Sequence, residues 1–416
     1  MKKLLFISFL GIASAIHAQN TYIPDNNFEL KLIDLGLDSG PLDDSVLTAN
    51  INQLTYLNVS GSSIQDLNGI QDFDSLNALL CNQNQLTSLD LSGNLVLDYF
   101  ECKDNNITSL NISNNTALEW IRCSDNQLTN LDVSNNLQLS TLICRNNPIT
   151  SFDVSNNVAL KSFDVLNNEL TTIDVSNNTQ LRSIQCSENN LSDLDLSNNN
   201  DLWSVRCSDN ELSNLDLSNQ LLLTTLWCKS NNLTNLDLSV NDSLVQVWCS
   251  LNSILSLDLS NKPNLNRIRC TSNNLESLNL TNSNIYINSF STFDNPNLDC
   301  IQVDEPMHSD TAWVGTWFSF DSHHTFGDNC NMFSLEDDLL ENAEVYPNPT
   351  TNILHVESSN YSAYTIQSVL GKEIIKQGNL GNGNTVLDLS SMSSGMYLLK
   401  LMTEKGEFTT KKIMKQ

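Results

Sequence analysis

A cysteine returns every 21 residues through the middle of this chain, at Cys81, Cys102, Cys123, Cys144, Cys186, Cys207, Cys228, Cys249 and Cys270. The one missed step, at 165, holds Val165. A fixed period of this length means stacked coils, none of which can bury its apolar face alone, so the chain is first of all a solenoid. Nine units run without insertion from Leu86 to Asn274, and LTNLDVSNNLQLSTLICRNNP, Leu128 to Pro148, is one of them. Each unit has two similar halves, LxxLDVSNN and LxxLxCxxN. Apolar and polar residues alternate in both, which predicts two short strands per coil. A further coil precedes, around Leu76 to Gln85, and a degenerate one follows, Leu275 to Asn295.

Three residues after each cysteine position stands an asparagine: Asn84, Asn105, Asn126, Asn147, Asn168, Asn189, Asn210, Asn231, Asn252 and Asn273. Each coil must bend sharply after its strand and leaves backbone N–H and C=O groups inside. An interior amide supplies two donors and an acceptor for them. A catalytic asparagine would occur once, not ten times, so this column is structural.

The full register, LxxLxCxxNxLTxLDLSxN over about residues 54 to 296, resembles the leucine-rich repeat of the short, bacterial surface-protein kind. The resemblance implies a mainly β protein, a curved or twisted solenoid with a parallel sheet along one face. It also implies that the outward side chains of that sheet bind other proteins.

Nine cysteines in register suggest metal or redox chemistry, but neighbouring coils lie about 4.8 Å apart and place the thiols in a line rather than a tetrahedron. Val165 shows that the position wants small apolar volume, so inert core thiols are expected. Cys300 and Cys330 lie outside the period. Their segment, residues 297–331, is placed to cover the open end of the last coil with Trp313, Trp317, Phe318 and Phe320, and a Cys300–Cys330 disulfide is predicted to staple it. At the other end, residues 19–53 contain IPDNNFELKLIDLGLD, with Phe28, Leu30, Leu32, Ile33 and Leu35 at helical spacing and Asp25 or Asn26 placed as N-cap. This reads as a helical N-terminal cap.

Residues 1–18, with Lys2 and Lys3 before an apolar run from Leu4 to Ile16 and then Ala18, read as a secretory signal peptide. The repeats end in an acidic linker, residues 332–343. Beyond it, strand-like runs such as YTIQSV, TVLDLS and MYLLKLM predict a small antiparallel β-sandwich over residues 344–416. VYPNP, with Tyr346, Pro347, Asn348 and Pro349, SSGMYLLKL, with Gly395 and Tyr397, and the terminal KKIMKQ resemble the sorting domain of the type IX secretion system. That resemblance implies engagement of the secretion machinery, passage through the outer membrane and a surface or extracellular destination; no stretch approaches 18 apolar residues, so direct membrane insertion is not expected.

The formal charge is −28, from 48 acidic and 20 basic residues, which disfavours nucleic acid and anionic membranes as partners. Much of the acid is ordered: Asp90, Asp132, Asp153, Asp174, Asp195, Asp216, Asp237 and Asp258 share one repeat position, between two inward apolar residues. Carboxylates in such a column repel, by about 1 kcal/mol each at 4.8 Å in water. Ser or Thr hydrogen bonds, or bridging calcium, would offset this, with Asp132, Asp153, Asp174 and Asp195 as the calcium candidates. A solvated, solubilising face is the plainer reading, and no other cofactor is implied.

Function is expected where the repeats differ. The residue before each cysteine position alternates with buried neighbours and should face outward, as should the residue two earlier. Two groups stand out: Tyr99, Trp120 and Arg122, and the line Arg206, Trp227, Trp248, Arg269 on four successive coils, with Trp203 at its border. Trp and Arg are the residues most enriched in binding hot spots, and flat indoles also stack on sugars or cations. The expected partner is a protein, or alternatively a glycan, on another cell or in the matrix. The third reading is a passive acidic surface component whose Trp rings only stiffen the sheet.

Catalysis is not expected. No histidine lies in the repeats, and no HExxH, GxSxG or glycine-rich phosphate loop occurs. His323 and His324, with Asp321 and Asp328, are the one metal-like cluster, and a pair of solvated histidines is the plainer account.

Overall fold

The computed structural model describes residues 19–283, 286–306, 317–330, 343–358, 361–368, 373–380, 383–403 and 408–416. The signal peptide, linker residues 332–342 and Trp313 lie outside them, and the last linker residue, Ala343, begins a strand. The chain forms two compact units, residues 1–329 and 330–416.

In the first unit the repeats wind into a solenoid whose strands, three residues each from Tyr56–Asn58 to Ser289–Ser291, with the two-residue Phe318–Ser319 at the far end, form one parallel 13-stranded sheet. Between Ala78 and Arg269 each strand residue pairs with the one 21 positions on, as Ser204 with Thr225 and Trp227 with Trp248. Each coil contributes its Leu, Ile or Val columns and its cysteine to one continuous buried core. All nine periodic cysteines are free thiols and buried, and Val165 is buried in the same line.

The two strands per coil do not both form. The LDVSNN half becomes a strand only from Ser256–Asp258 onward, in a four-stranded sheet that runs through Ser277–Asn279 and Cys300–Gln302 to Thr325–Gly327; before that there is only an isolated bridge, Asp90 to Asn111. Side chains serve this segment's backbone. Asp132 Oδ1 accepts from Ser134 N at 2.9 Å, and the same turn recurs at Asp153, Asp174, Asp195, Asp216, Asp237 and Asp258. Carbonyls of the same segment are met by a second amide column, described below. That column ends in the coil of Ser256–Asp258, where the strands begin, whereas the turn continues into it.

The bend after each strand passes through a left-handed residue with φ between 51° and 57°, from Gln83 to Ser272, none of them glycine. Such conformations cost free energy unless surrounding bonds hold them. The Asn column supplies those bonds. Asn189 Nδ2 donates to Val165 O and Cys186 O, both at 3.0 Å, and its Oδ1 accepts from Leu170 N at 3.0 Å. Each amide thus ties its own coil to the preceding one.

A second amide column, unread in the sequence, stands at Asn94, Asn115, Asn136, Asn157, Asn178, Asn199, Gln220 and Asn241, all but fully buried. Asn178 Nδ2 donates to Val154 O at 3.0 Å and Asn157 O at 2.9 Å, and its neighbours repeat the pattern. The signal was the second Asn of SNN, which also recurs every 21 residues. The column ends at Lys262, whose buried ammonium reaches Asp242 Oδ1 at 3.0 Å.

Both caps form. The helix Asn26–Asp34 starts at Asp25, whose Oδ1 accepts from Asn27 N and Phe28 N while Oδ2 accepts from Gln65 N and Asp66 N, so the cap residue also grips the first coil. At the far end Phe320 packs edge-on against Phe290 at 5.1 Å and Phe326 at 5.4 Å, and Phe318 joins the core. Trp317 departs from expectation: it is 67% exposed and does not cover the core. Cys300 and Cys330 are disulfide-bonded to each other.

The second unit packs a three-stranded antiparallel sheet, Ala343–Tyr346, Ile353–Ser358 and Gly383–Asp388, and a four-stranded one, Glu373–Asn379, Ala363–Ser368, Gly395–Met402 and Phe408–Lys415, around Leu354, Val356, Ile366, Leu387, Leu399, Leu401 and Ile413. This is the expected β-sandwich.

Candidate functional site

The parallel register brings Arg206, Trp227, Trp248 and Arg269 into one stack. The two indoles lie 4.2 Å apart and within 4° of parallel. The Arg206 guanidinium sits 4.2 Å over Trp227 on one side, and that of Arg269 sits 4.6 Å over Trp248 on the other. Parallel pairing places side chains of successive coils directly beside one another, close to the stacking distance of aromatic planes, so the stack follows from the register. Cation–π attraction of about 0.5–1 kcal/mol per partly exposed contact holds the guanidiniums in place. Both faces of both rings are covered, so the stack presents ring edges and guanidinium forks outward. Among the described residues the buried indole N–H groups of Trp227 and Trp248 and the buried Arg206 Nε–H have no acceptor. Trp203, at the border, is 46% exposed.

The second group is also assembled. Tyr99 stacks on Trp120 with centroids 5.6 Å apart, and its hydroxyl donates to Glu101 Oε1 at 2.6 Å. Burial and then that hydrogen bond push the Tyr99 phenol up to about 12. Asn82 Nδ2 donates to the other oxygen of Glu101, and the Trp120 indole N–H and Arg122 Nε–H lack acceptors among the described residues. The outward positions are not uniformly open. Glu101 and Asp164 are buried, Asp164 because Arg145 Nε donates to it at 2.8 Å, and Thr141, Ser204 and Thr225 are covered by their neighbours along the strands.

The cysteine line is chemically quiet. Cys186 and Cys270 donate to strand carbonyls of the next coil, both at 3.6 Å, and burial pushes Cys207 and Cys249 up to about 12. Thiols held neutral in this way are poor nucleophiles and poor ligands. In the acidic column, hydrogen bonds from the following serine lower the Asp132, Asp153, Asp174 and Asp195 carboxyls below the ordinary range, so the serines meet these carboxylates as the sequence reading allowed.

Among the described residues one group has metal-ligand reach, Asp321, His323 and His324; Asp328 is not part of it. The Asp321 carboxylate accepts from Asp294 N and Asn295 N, and the His324 ring contacts Thr292 Oγ1 at 3.0 Å and Asn295 O at 3.4 Å. Burial, its largest influence, lowers the His324 pKa. These bonds tie the cap to the last full coil.

In the second unit Asn348 of the YPNP segment spans two chain segments. Its Nδ2 donates to Lys412 O at 2.7 Å, and its Oδ1 accepts from Met414 N at 2.8 Å. Tyr346 stacks on His355 at 5.4 Å, and both X–Pro bonds of the segment, before Pro347 and Pro349, are cis. Gly395 has φ of 154°, and the buried Tyr397 donates to Ser393 O at 2.9 Å. Asn348 thus joins the segment after the first strand to the last strand, and Tyr397 closes the 393–397 turn on itself.

Residues 344–416 match the family described as the secretion system C-terminal sorting domain. No curated protein sequence matches the chain. Among solved structures, the functional domain of InlJ from Listeria monocytogenes, described as including a cysteine ladder, is similar at 21% identity and a TM-score of 0.55, over 96% of this chain and 99% of that one. An internalin, InlF, from Listeria monocytogenes is similar at 20% identity and a TM-score of 0.62, over 76% of this chain and 94% of that one. No helix among the described residues is long and apolar enough to cross a membrane. The protein is a leucine-rich-repeat solenoid that ends in a type IX sorting domain, which engages the secretion machinery and directs export to the cell surface or the extracellular space.

Proposed function

We propose that the solenoid is an adhesive binding module, recognising a protein partner on another cell or in the matrix through its variable strand face. The anchor is the stack Arg206–Trp227–Trp248–Arg269, and Tyr99, Trp120 and Arg122 form a second contact area. The observation that carries this reading is the pre-assembled stack. Side chains already immobilised lose little conformational freedom on binding, so more of their contact energy appears as affinity. Replacing Trp227 and Trp248 together by Ala should weaken binding to a captured partner by at least about 30-fold, the effect of a 2 kcal/mol hot spot. Undiminished binding by a variant that keeps its far-ultraviolet spectrum and melting temperature would refute the assignment. No catalytic step is assigned to the chain.

A glycan partner is the second reading, and one feature alters it. The indole faces that would stack on a sugar are covered by one another and by Arg206 and Arg269. A sugar approaching this stack meets guanidinium edges instead.

A further inference from the structure

Charge on the repeats is segregated by face. Residues 54–296 contain ten Lys and Arg, and nine fall between four residues before and one residue after the cysteine position, on the strand or its shoulders. The tenth is Lys262, buried at the end of the second amide column. Of the 26 carboxylates in the same span, only Asp98, Glu101, Glu119 and Asp164 lie on that face. The strand face is thus formally +5, and the remainder of the repeats, with one cation and 22 carboxylates, is −21.

The segregation is sharpest from Lys161 onward. Lys161, Arg182, Arg206, Lys229, Arg267 and Arg269 occupy five of six successive coils, and the coil without a cation holds Trp248. The one carboxylate on this stretch, Asp164, is taken up by Arg145. Among the described residues Lys161, Arg182, Arg206, Arg267 and Arg269 form no ion pair, and Lys229 approaches Asp209 only to 3.8 Å. Holding the coils together does not account for these cations, since the amide columns do that. Unpaired like charges side by side cost stability unless a ligand neutralises them. At physiological ionic strength fields fade over about 8 Å, so this face acts locally in spite of the net charge, and the acidic flanks repel the same ligand and confine it to the strands.

The remaining outward residues of the stretch separate two kinds of anionic partner. Apart from the tryptophans they are mainly Ser, Thr, Gln and Asn, and the aliphatic exceptions are Leu166 and Val245, both half-buried. A folded protein partner needs an apolar centre to desolvate, and this stretch has little of one. A polymer of repeating charged units suits an array that offers about one cation per 4.8 Å, because both repeat by translation. Guanidinium forks held by indoles suit carboxylate or sulfate bidentately, and side-chain hydroxyls suit sugar hydroxyls. Trp203 stacks on no other ring among the described residues and offers a face to a pyranose.

We infer that the strand face from Lys161 to Arg269 is a track for an acidic polysaccharide, a chain of uronate or sulfated sugars laid across the strands along the stack of coils. This rests on the strand face being the binding surface and, over the stretch from Lys161 to Arg269, takes the glycan class in place of the protein partner proposed above. The test uses the full chain with sodium polygalacturonate and dextran sulfate as probes, and dextran and poly-L-glutamate as comparators, across a salt series. At least one acidic polysaccharide should bind, dextran should not, and affinity should fall as salt rises. Lys161→Gln with Arg182→Gln, which disturbs no ring contact, should weaken binding about ten-fold or more. Trp203→Ala should weaken polysaccharide binding and leave any poly-L-glutamate binding unchanged. Failure of both acidic polysaccharides to bind overturns the inference. Poly-L-glutamate bound more tightly, and lost in the Lys161/Arg182 variant, keeps the strand face but makes the partner an acidic protein, which also overturns it. Polysaccharide binding untouched by both variants refutes the strand face itself.

Discussion

Asn189→Ala isolates what one interior amide contributes. In the folded protein Asn189 is buried, and its Oδ1 is the acceptor for the buried Leu170 N–H at 3.0 Å. Its Nδ2 donates to Val165 O and Cys186 O, but each carbonyl also accepts from another amide, Asn168 and Asn210 respectively. Truncation therefore orphans one N–H outright and removes one of two donors from each carbonyl. An orphaned buried N–H costs about 1–3 kcal/mol and each lost bond to a group still partnered about 0.5–1 kcal/mol, so the variant should lose about 2–5 kcal/mol. Glu188, left-handed with φ 55°, loses part of its hold as well. The matched control is Asn198→Ala in the next repeat unit, where an exposed amide makes one bond, to Ser176 O at 3.2 Å, and the expected loss is under about 0.5 kcal/mol. Long repeat arrays do not always unfold in two states, so the guanidinium midpoint should be read together with amide exchange at Leu170, which should accelerate only in Asn189→Ala. If the two variants are equally stable and Leu170 exchange is unchanged, the ladder argument is wrong.

Two further outcomes follow from the same packing. Gly93 stands where most coils carry Asn, yet a Cβ there would lie 2.4 Å from Gln71 O, so Gly93→Asn, which restores the repeat pattern, should destabilise by roughly 1–3 kcal/mol and lower the melting temperature; an unchanged melt would refute it. With nine buried free thiols and one disulfide, the folded chain should resist alkylation at neutral pH, and the denatured chain should titrate nine thiols without reductant and eleven with it.

The coil count, the Asn column and the buried cysteine line were legible in the sequence, because a fixed period turns every position into a column whose chemistry is sampled many times. Val165 and the line geometry together separated packing from sulfur chemistry at that column. The same period misled in the LDVSNN half, where alternation suggested a second strand. Strands form there only from the coil in which the second amide column ends, and periodicity does not report how a segment's backbone groups are met. That second column, and the confinement of nine cations to the strand face, were present in the sequence too. Each emerges only when polar positions are sorted by the face they occupy.

The sequence by itself determined the repeat register, the caps, the sorting domain and the alignment of Arg206, Trp227, Trp248 and Arg269, because each depends on spacing along the chain. Tertiary structure decided what those four side chains do. Parallel pairing at a single 21-residue offset places the rings face to face, so they cover one another and the guanidiniums close the ends. Contact between side chains of neighbouring coils is a property of three-dimensional register and rotamer. It therefore took the folded solenoid to turn a line of exposed tryptophans into a rigid cationic edge.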